Sequence, residues 1–362
     1  MSVEILVEEV SPNGHVSAMA EQNERCCYFY LHGDRSSSFG VRSCWVRNFH
    51  AAPDQLEVEA MRTGESPLLP RPFCQHPAGA PPFQAGELAI IWAEEGDAAA
   101  LTHQGEIIAV IPSWSGTNGF HGYARDCLGD SPLCWELGTP ETNVQFAKYE
   151  QASIFWKSWS VHPGPWIGVQ SALCECLEKA LGPHSNYYAI DGGTWPPKAI
   201  LRIPSPGQVA LTTIGVCLQP QPTVELHYED PSPHRRIELG IGLDGSLSDD
   251  AIKKVASYLS GQTKLPWAKF TFLGHGHSIP ADVVAELSGG QLSCVLLVQP
   301  SLGAPDVTMP GFRDDPVNLL WMIPISEQER QFAQANGSAE LINRLERAGV
   351  NWIATMRRKS VC

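Results

Sequence analysis

Two apolar runs in the second half of the chain restrict its fold more than any other feature of the sequence. Gln291–Val298 and Val317–Ile323 consist mostly of apolar residues and show little alternation between polar and apolar positions. A strand with one face in water alternates, whereas a strand covered on both faces is apolar almost throughout. The two runs therefore predict interior strands of a covered sheet.

Helical patterns flank these strands. Gly168–Leu181 carries apolar side chains three and four residues apart, and Gly182 provides a stop signal. Ile252–Leu259 shows the same spacing behind Ser248, which is suited to an N-cap. Residues 326–329 read Ser-Glu-Gln-Glu, the pattern of a capping box that starts a further helix.

Residues 1–160 have a different pattern, rich in short strands and turns. The strand candidates, each bounded by turn-forming residues, are Val3–Val7, Cys26–Leu31, Val41–Val46, Glu87–Ala93 and Glu106–Ile111. A Pro-Gly-Pro break at residues 163–165 follows, and 362 residues are enough for two domains. We therefore predict a β-rich N-terminal domain over residues 1–160 and a second domain over residues 165–362.

The charge of the chain argues against one class of ligand. Lys and Arg number 25 and Asp and Glu number 39, which gives a net charge of −14. An acidic chain repels a phosphate backbone, so we expect no nucleic acid partner. An acidic surface suits a basic protein partner.

The sequence also indicates a compartment. Met1 is followed by Ser-Val-Glu-Ile, without the basic and apolar segments of a secretory signal. The apolar stretches are far shorter than the ~20 residues that a membrane span needs. We expect a cytoplasmic protein without a membrane partner, whose 11 cysteines are mostly reduced. The sequence leaves its oligomeric state open.

One histidine pair is a candidate metal site. In Gly274-His275-Gly276-His277, a strand conformation would point both imidazoles to the same side, where they could hold one metal ion. A third ligand would then come from upstream, from His227, His234 or a carboxylate. The alternative is a glycine-rich turn with two partly exposed histidines. We favour the turn and predict no metal and no cofactor.

Motifs of nucleophilic, metalloprotease or nucleotide-binding sites are missing from the sequence. The Asp249-Asp250 and Asp314-Asp315 pairs lie at a helix start and in a turn, where carboxylates serve as caps. We therefore predict no catalytic residue.

The second half also carries an ordered series of motifs. They are Leu177–Pro183, Leu211–Val216, Gln219–Pro222, Arg236–Leu239, Pro266-Trp267 with Gly274-His275, and Val317–Arg330. This series, over about residues 168–357, resembles the suppressor-of-fused (SUFU) domain family in its bacterial type. The most specific part is Val317–Arg330, which looks like the closing strand and acidic helix start of the family.

The resemblance implies an α+β fold, in which helices pack on a mixed or antiparallel sheet. It also implies a non-enzymatic module that binds a protein or an extended peptide, such as an immunity or regulatory protein. The contacts that we predict are Glu238, His275 and His277, which we expect to be exposed, followed by Trp114, Phe120 and Tyr123 in the N-terminal loop. The competing hypothesis is a metal-dependent enzyme with His275 and His277 as ligands.

Overall fold

The computed structural model describes residues 3–34, 37–160 and 164–362. The chain divides into two compact units, Met1–His162 with Trp267–Phe270, and Pro163–Pro266 with Thr271–Cys362. Pro163, the first residue of the predicted break, lies outside the described residues. None of the described helices is long and apolar enough to cross a membrane.

The first unit contains two sheets, in which all strand pairs are antiparallel except the parallel pair β8-β9. A four-stranded sheet holds its strands in chain order, namely β1 (Glu4–Val10), β2 (Val16–Gln22), β3 (Cys26–Gly33) and β4 (Val41–Asn48). A five-stranded sheet also follows chain order, with β5 (Leu88–Trp92), β6 (Ala99–His103), β7 (Glu106–Ile111), β8 (Tyr123–Ala124) and β9 (Trp135–Glu136). Phe29 and Trp45 are fully buried in the core of this unit.

Two helices accompany these strands, the short α1 (Val58–Arg62) and the longer α2 (Gln145–Trp159). Tyr149 and Phe155 of α2 are buried. The sequence pattern does not predict β2, β6 or α2. The N-terminal part is nevertheless β-rich, as predicted.

The second unit is built around one eight-stranded sheet. Its strands are β10 (Asn186–Ala189), β11 (Ala199–Ser205), β12 (Gln208–Ile214), β13 (Arg236–Asp244), β14 (Ser278–Pro280), β15 (Cys294–Val298), β16 (Val317–Ile325) and β17 (Ile353–Ala354). Their order is β10-β11-β12-β13-β16-β15-β14, and β17 pairs with β13. β13 runs parallel to both β16 and β17, while the other pairs are antiparallel, so of the two predicted arrangements, mixed or antiparallel, the sheet is mixed.

The helices of this unit are α3 (Trp166–Leu181), α4 (Asp249–Gln262), α6 (Asp282–Ser288), α7 (Glu327–Asn336) and α8 (Ser338–Arg347), while α5 (Leu265–Lys269) begins here and ends in the Trp267–Phe270 segment of the first unit. The predicted caps are present. The Ser248 hydroxyl accepts a hydrogen bond from the backbone of Ala251. Ser326 and Glu329 form the predicted capping box, in which each side chain accepts from the backbone N–H of the other residue.

Candidate functional site

Glu238 lies at the centre of a hydrogen-bond network inside the second unit. Its carboxylate accepts from the Thr213 hydroxyl at 2.6 Å and from the backbone N–H groups of Gly215 and Cys217 at 2.8 and 3.1 Å. Its side chain is fully buried, so the expectation that Glu238 is exposed is wrong. The reason is that β13 is an interior strand, and the carboxylate fixes the chain that leaves β12.

Gly215 makes this turn possible. Its φ is +92°, and an added Cβ would overlap the Pro197 carbonyl oxygen and lie 3.1 Å from the Trp166 ring. Only glycine adopts such a backbone without a steric penalty. Thr213 and Gly215 of the Leu211–Val216 motif both donate to Glu238 of the Arg236–Leu239 motif, so these residues have a structural role.

A second buried ionisable side chain, that of Arg236, lies at the start of β13. The Arg236 Nε donates to Asp315 at 3.0 Å, and its Nη1 donates to the carbonyl oxygens of Cys217 and Leu218, both at 2.9 Å. Asp315 also accepts from the Ser232 hydroxyl at 2.7 Å. A buried charge persists only when it is paired and hydrogen bonded, and this one holds the segment before β13 in place.

Gln221, in the Gln219–Pro222 motif, connects two surface segments through the hydrogen bonds of its side chain. Its side-chain oxygen accepts from the Leu273 N–H at 2.8 Å, and its amide donates to the carbonyl oxygens of Leu273 and His234 at 3.0 and 3.1 Å. The side chain is buried. It therefore fixes the segment before β13 and the segment before β14 to the same point.

Those two segments present one cluster of rings, which we call the histidine–aromatic surface. Its members are His227, Tyr228, His234, Phe272 and His277. Phe272 is nearly buried, and its ring lies 4.9 to 5.7 Å from the rings of His277, His227 and Tyr228. Tyr228 stacks on His234 at 3.8 Å and is 36% exposed.

His275 and His277 lie in a turn before β14, so the strand conformation that would make them a metal pair is not present. The φ of Gly276 is +85°, which places the histidines on a tight turn. The alternative of a glycine-rich turn is confirmed. His275 is exposed and His277 is half-buried.

The hydrogen bonds of the two imidazoles also argue against a shared metal ion. The Gln299 N–H donates to Nδ1 of His275 at 3.0 Å, so the proton of the neutral ring is on Nε2 and neither nitrogen can ligate. Nδ1 of His277 donates to the Phe272 carbonyl oxygen at 3.2 Å and leaves one lone pair. Within the described part of the chain, no three His, Cys, Asp or Glu side chains are placed to hold a metal ion.

The environment of these two imidazoles disfavours their charged form. Burial lowers the pKa of His275. Burial also lowers the pKa of His277, and the neighbouring His227 and His275 lower it further, against the opposing hydrogen bond to Phe272. His275 and His277 are therefore harder to protonate than an ordinary histidine.

Phe120 and Tyr123 belong to a separate aromatic cluster in the first unit, and Trp114 lies beside Tyr123. The ring of Phe120 lies 5.0 Å from that of Tyr123 and 4.8 Å from that of Trp135. Phe120 is buried, while Trp114 and Tyr123 are half-buried. Tyr123 belongs to β8, so the predicted loop is partly a strand. Phe120 serves this packing, and Trp114 and Tyr123 keep some surface.

One segment of the chain matches a known protein family. Residues 194–359 match the family model described as Suppressor of fused protein (SUFU). These residues are a suppressor-of-fused domain. Glu238, Gln221 and the whole histidine–aromatic surface lie within the matched residues.

Two solved structures are similar to part of the chain. The Sufu–Fu complex shares 15% identity and a TM-score of 0.38, over 54% of this chain and 92% of its own. Drosophila Suppressor of Fused shares 15% identity and a TM-score of 0.34, over 53% of this chain and 51% of its own. No curated protein sequence matches the chain.

The sequence motifs of the suppressor-of-fused domain do not indicate all of the residues that form the histidine–aromatic surface. Gln221 was noted only as part of a proline turn, and nothing in its neighbours signals that it binds Leu273, far along the chain. Tyr228 and Phe272 were not singled out at all. His227 and His234 were considered only as metal ligands, whereas they lie in the ring cluster.

Proposed function

We propose that this chain is a non-enzymatic binding protein, and that its suppressor-of-fused domain holds a basic, extended segment of a protein partner on the histidine–aromatic surface. The observation that carries the proposal is that two loops are fixed by buried hydrogen bonds while the rings of His227 and Tyr228 remain exposed. A surface that is ordered before binding loses little entropy on association.

A second set of contacts supports the rigidity of this surface. The Gln299 side-chain amide donates to Asn318 at 3.0 Å, and the Asn318 amide donates to the Pro233 carbonyl oxygen at 2.7 Å. The Gln299 backbone also donates to His275. The turn with the histidines is thereby linked to the loop that carries His234.

The chemistry of the surface favours a basic partner. Tyr228 offers an exposed ring face, and the adjacent Glu229 and Asp230 are exposed. An arginine or lysine over a tyrosine ring gains cation–π attraction, and nearby carboxylates strengthen it. The lowered pKa of His275 and His277 disfavours the charged form that would repel such a ligand. His275 and His277 are the partner contacts that we propose from the predicted set, with Trp114 and Tyr123 as contacts on the first unit.

A protein that holds one segment of a partner can block that partner. We propose an immunity or regulatory role of this kind in the bacterial cytoplasm. The net charge of −14 would speed association with a basic partner.

The test is capture from the lysate of the native host with the tagged chain, read by mass spectrometry. We expect one basic protein in near-equal amount, weaker capture at high salt, and loss of capture with the Tyr228→Ala/His234→Ala variant. Tyr187→Ala, which removes a similarly exposed tyrosine from β10, is the matched control.

Three results would count against the proposal. If the double variant captured the same protein as the unchanged chain, the binding surface would lie elsewhere. If no protein were captured, or if capture strengthened below pH 6, the basic-segment hypothesis would be wrong, because protonated imidazoles must repel a cationic ligand.

A further inference from the structure

A groove at the end of α8 differs in charge from the chain as a whole. It has a volume of about 670 Å³, and its charged lining residues are Arg344, Arg347, Arg358 and Lys359. Apolar side chains, among them Val350 and Val361, complete the lining, and no carboxylate takes part. Four cations meet here in a protein with 25 Lys and Arg among 362 residues.

Arg358 lines this groove, and hydrogen bonds hold its side chain in place. It donates two hydrogen bonds to the buried carboxylate of Glu329, at 2.6 and 2.8 Å, and one to the Pro324 carbonyl oxygen at 2.7 Å. The Val361 N–H also donates to Glu329 at 2.9 Å. Burial alone would raise the pKa of Glu329, but these hydrogen bonds outweigh it and hold that pKa low. The segment that closes the groove is thus anchored.

The other three cations face solvent. The Arg344 guanidinium lies 4.0 Å from the centre of the Phe332 ring. Its Nε is 3.5 Å from the Glu340 carboxylate, and because both side chains are partly exposed, this ion pair is weak. Among the described residues, no hydrogen bond or ion pair engages the side chains of Arg347 and Lys359. These two charges are therefore available to a ligand.

A simpler explanation covers only part of the pattern. Arg344 and Arg347 lie in the last turn of α8, where cations complement the helix dipole. That account does not explain Lys359 and Arg358, which come from the segment after β17 and face the same groove. The apolar lining is likewise unrelated to the helix dipole.

We propose that this groove, hereafter the basic groove, binds an acidic segment of a protein partner. The net charge of −14 does not prevent this, because charges more than about 8 Å apart are largely screened at physiological ionic strength. The local cations decide the electrostatic attraction. The apolar lining and the size of the groove favour a peptide with carboxylate and aliphatic side chains over a single small anion. The basic groove is separate from the proposed function and has the opposite charge preference.

The test is fluorescence anisotropy with a short labelled peptide in which glutamate alternates with valine, added to the full chain. We expect saturable binding that weakens as NaCl rises from about 0.05 to about 0.5 M. The variant Arg347→Glu/Lys359→Glu should bind at least about tenfold more weakly, because it replaces two attractions with two repulsions. Lys179→Glu/Lys253→Glu, with the same charge change at exposed sites outside the groove, should bind as the unchanged chain does.

Several outcomes would overturn the inference. They are equal weakening by both double variants, full displacement of the peptide by inorganic phosphate at low millimolar concentration, and self-association of the chain that the groove variant abolishes. The last would make a second copy of the chain the occupant. Tyr228→Ala should leave peptide binding unchanged, so failure here and failure of the proposed function are distinguishable.

Discussion

Gln221 and Leu273 are joined by two hydrogen bonds, one from the Leu273 backbone N–H to the Gln221 side-chain oxygen at 2.8 Å and one from the Gln221 side-chain amide to the Leu273 carbonyl oxygen at 3.0 Å. A side-chain amide thus pairs with a backbone segment as a neighbouring β-strand would. The same amide donates to His234, so one buried side chain holds both loops of the histidine–aromatic surface.

Replacing Gln221 should therefore loosen the surface and destabilise the domain. Gln221→Leu leaves the Leu273 N–H and two carbonyl groups without this partner, and we expect a loss of about 1 to 3 kcal/mol in the free energy of unfolding. Urea denaturation measures it. Gln334→Leu, at an exposed position of α7, should change stability by less than about 0.5 kcal/mol. Equal effects of both variants would show that the Gln221 hydrogen bonds contribute nothing.

Alanine substitutions at Gly215 and Gly207 would distinguish the energetic cost of steric overlap from the cost of backbone strain. Both have positive φ, +92° and +74°, but a Cβ on Gly207 would meet no atom within 4 Å. Gly207→Ala should cost about 1 to 2 kcal/mol for its backbone conformation alone. Gly215→Ala should cost at least about 3 kcal/mol, because the methyl group also overlaps the Pro197 carbonyl oxygen. Thermal and urea unfolding of the two variants would contradict this if the costs were equal.

Glu238 should make stability depend on pH. Burial raises the pKa of its carboxyl, although hydrogen bonds from Thr213, Cys217 and Gly215 oppose the shift. A raised folded-state pKa gives stability that is present below the unfolded pKa of about 4.3 and is lost as pH rises through the folded value. Glu238→Gln is always neutral, so the unchanged chain should lose stability relative to this variant as pH rises from about 4.

The measurement for Glu238 is urea unfolding at a series of pH values between about 4 and 8. Glu229→Gln, which removes a carboxylate from the surface, is the control and should show no such trend. A stability difference between Glu238→Gln and the unchanged chain that stays constant over this range would contradict the raised pKa.

His277 reports the arrangement of the ring cluster in solution. Its imidazole should titrate below the ordinary histidine pKa of about 6.5, because burial and the neighbouring His227 and His275 disfavour the charged form. His227→Ala removes one of these neighbours and should raise the His277 pKa. NMR titration of the ring protons measures both. His184→Ala, beside Glu178 outside the cluster, should leave the His277 pKa in place, and a shift there would argue against the local cause.

Local patterns were sufficient for many elements of the fold. The run Val317–Ile323 predicted β16, and the capping box at Ser326 predicted the start of α7, because burial on both faces and N-cap chemistry depend on neighbouring residues. β2 and α2 were missed. β2 is rich in Ala and polar residues, and α2 has aromatic residues on several sides, so neither shows a clean period.

The sequence motifs were thus enough to indicate that Thr213, Gly215, Glu238 and His275 are residues of one family of domains. Tertiary structure decided what each of them does. Glu238 is buried because β13 lies between β12 and β16, and His275 cannot ligate because the backbone of Gln299 donates to it. These outcomes depend on groups far apart in the chain, and the spacing of residues along a sequence carries no information about which of them will meet.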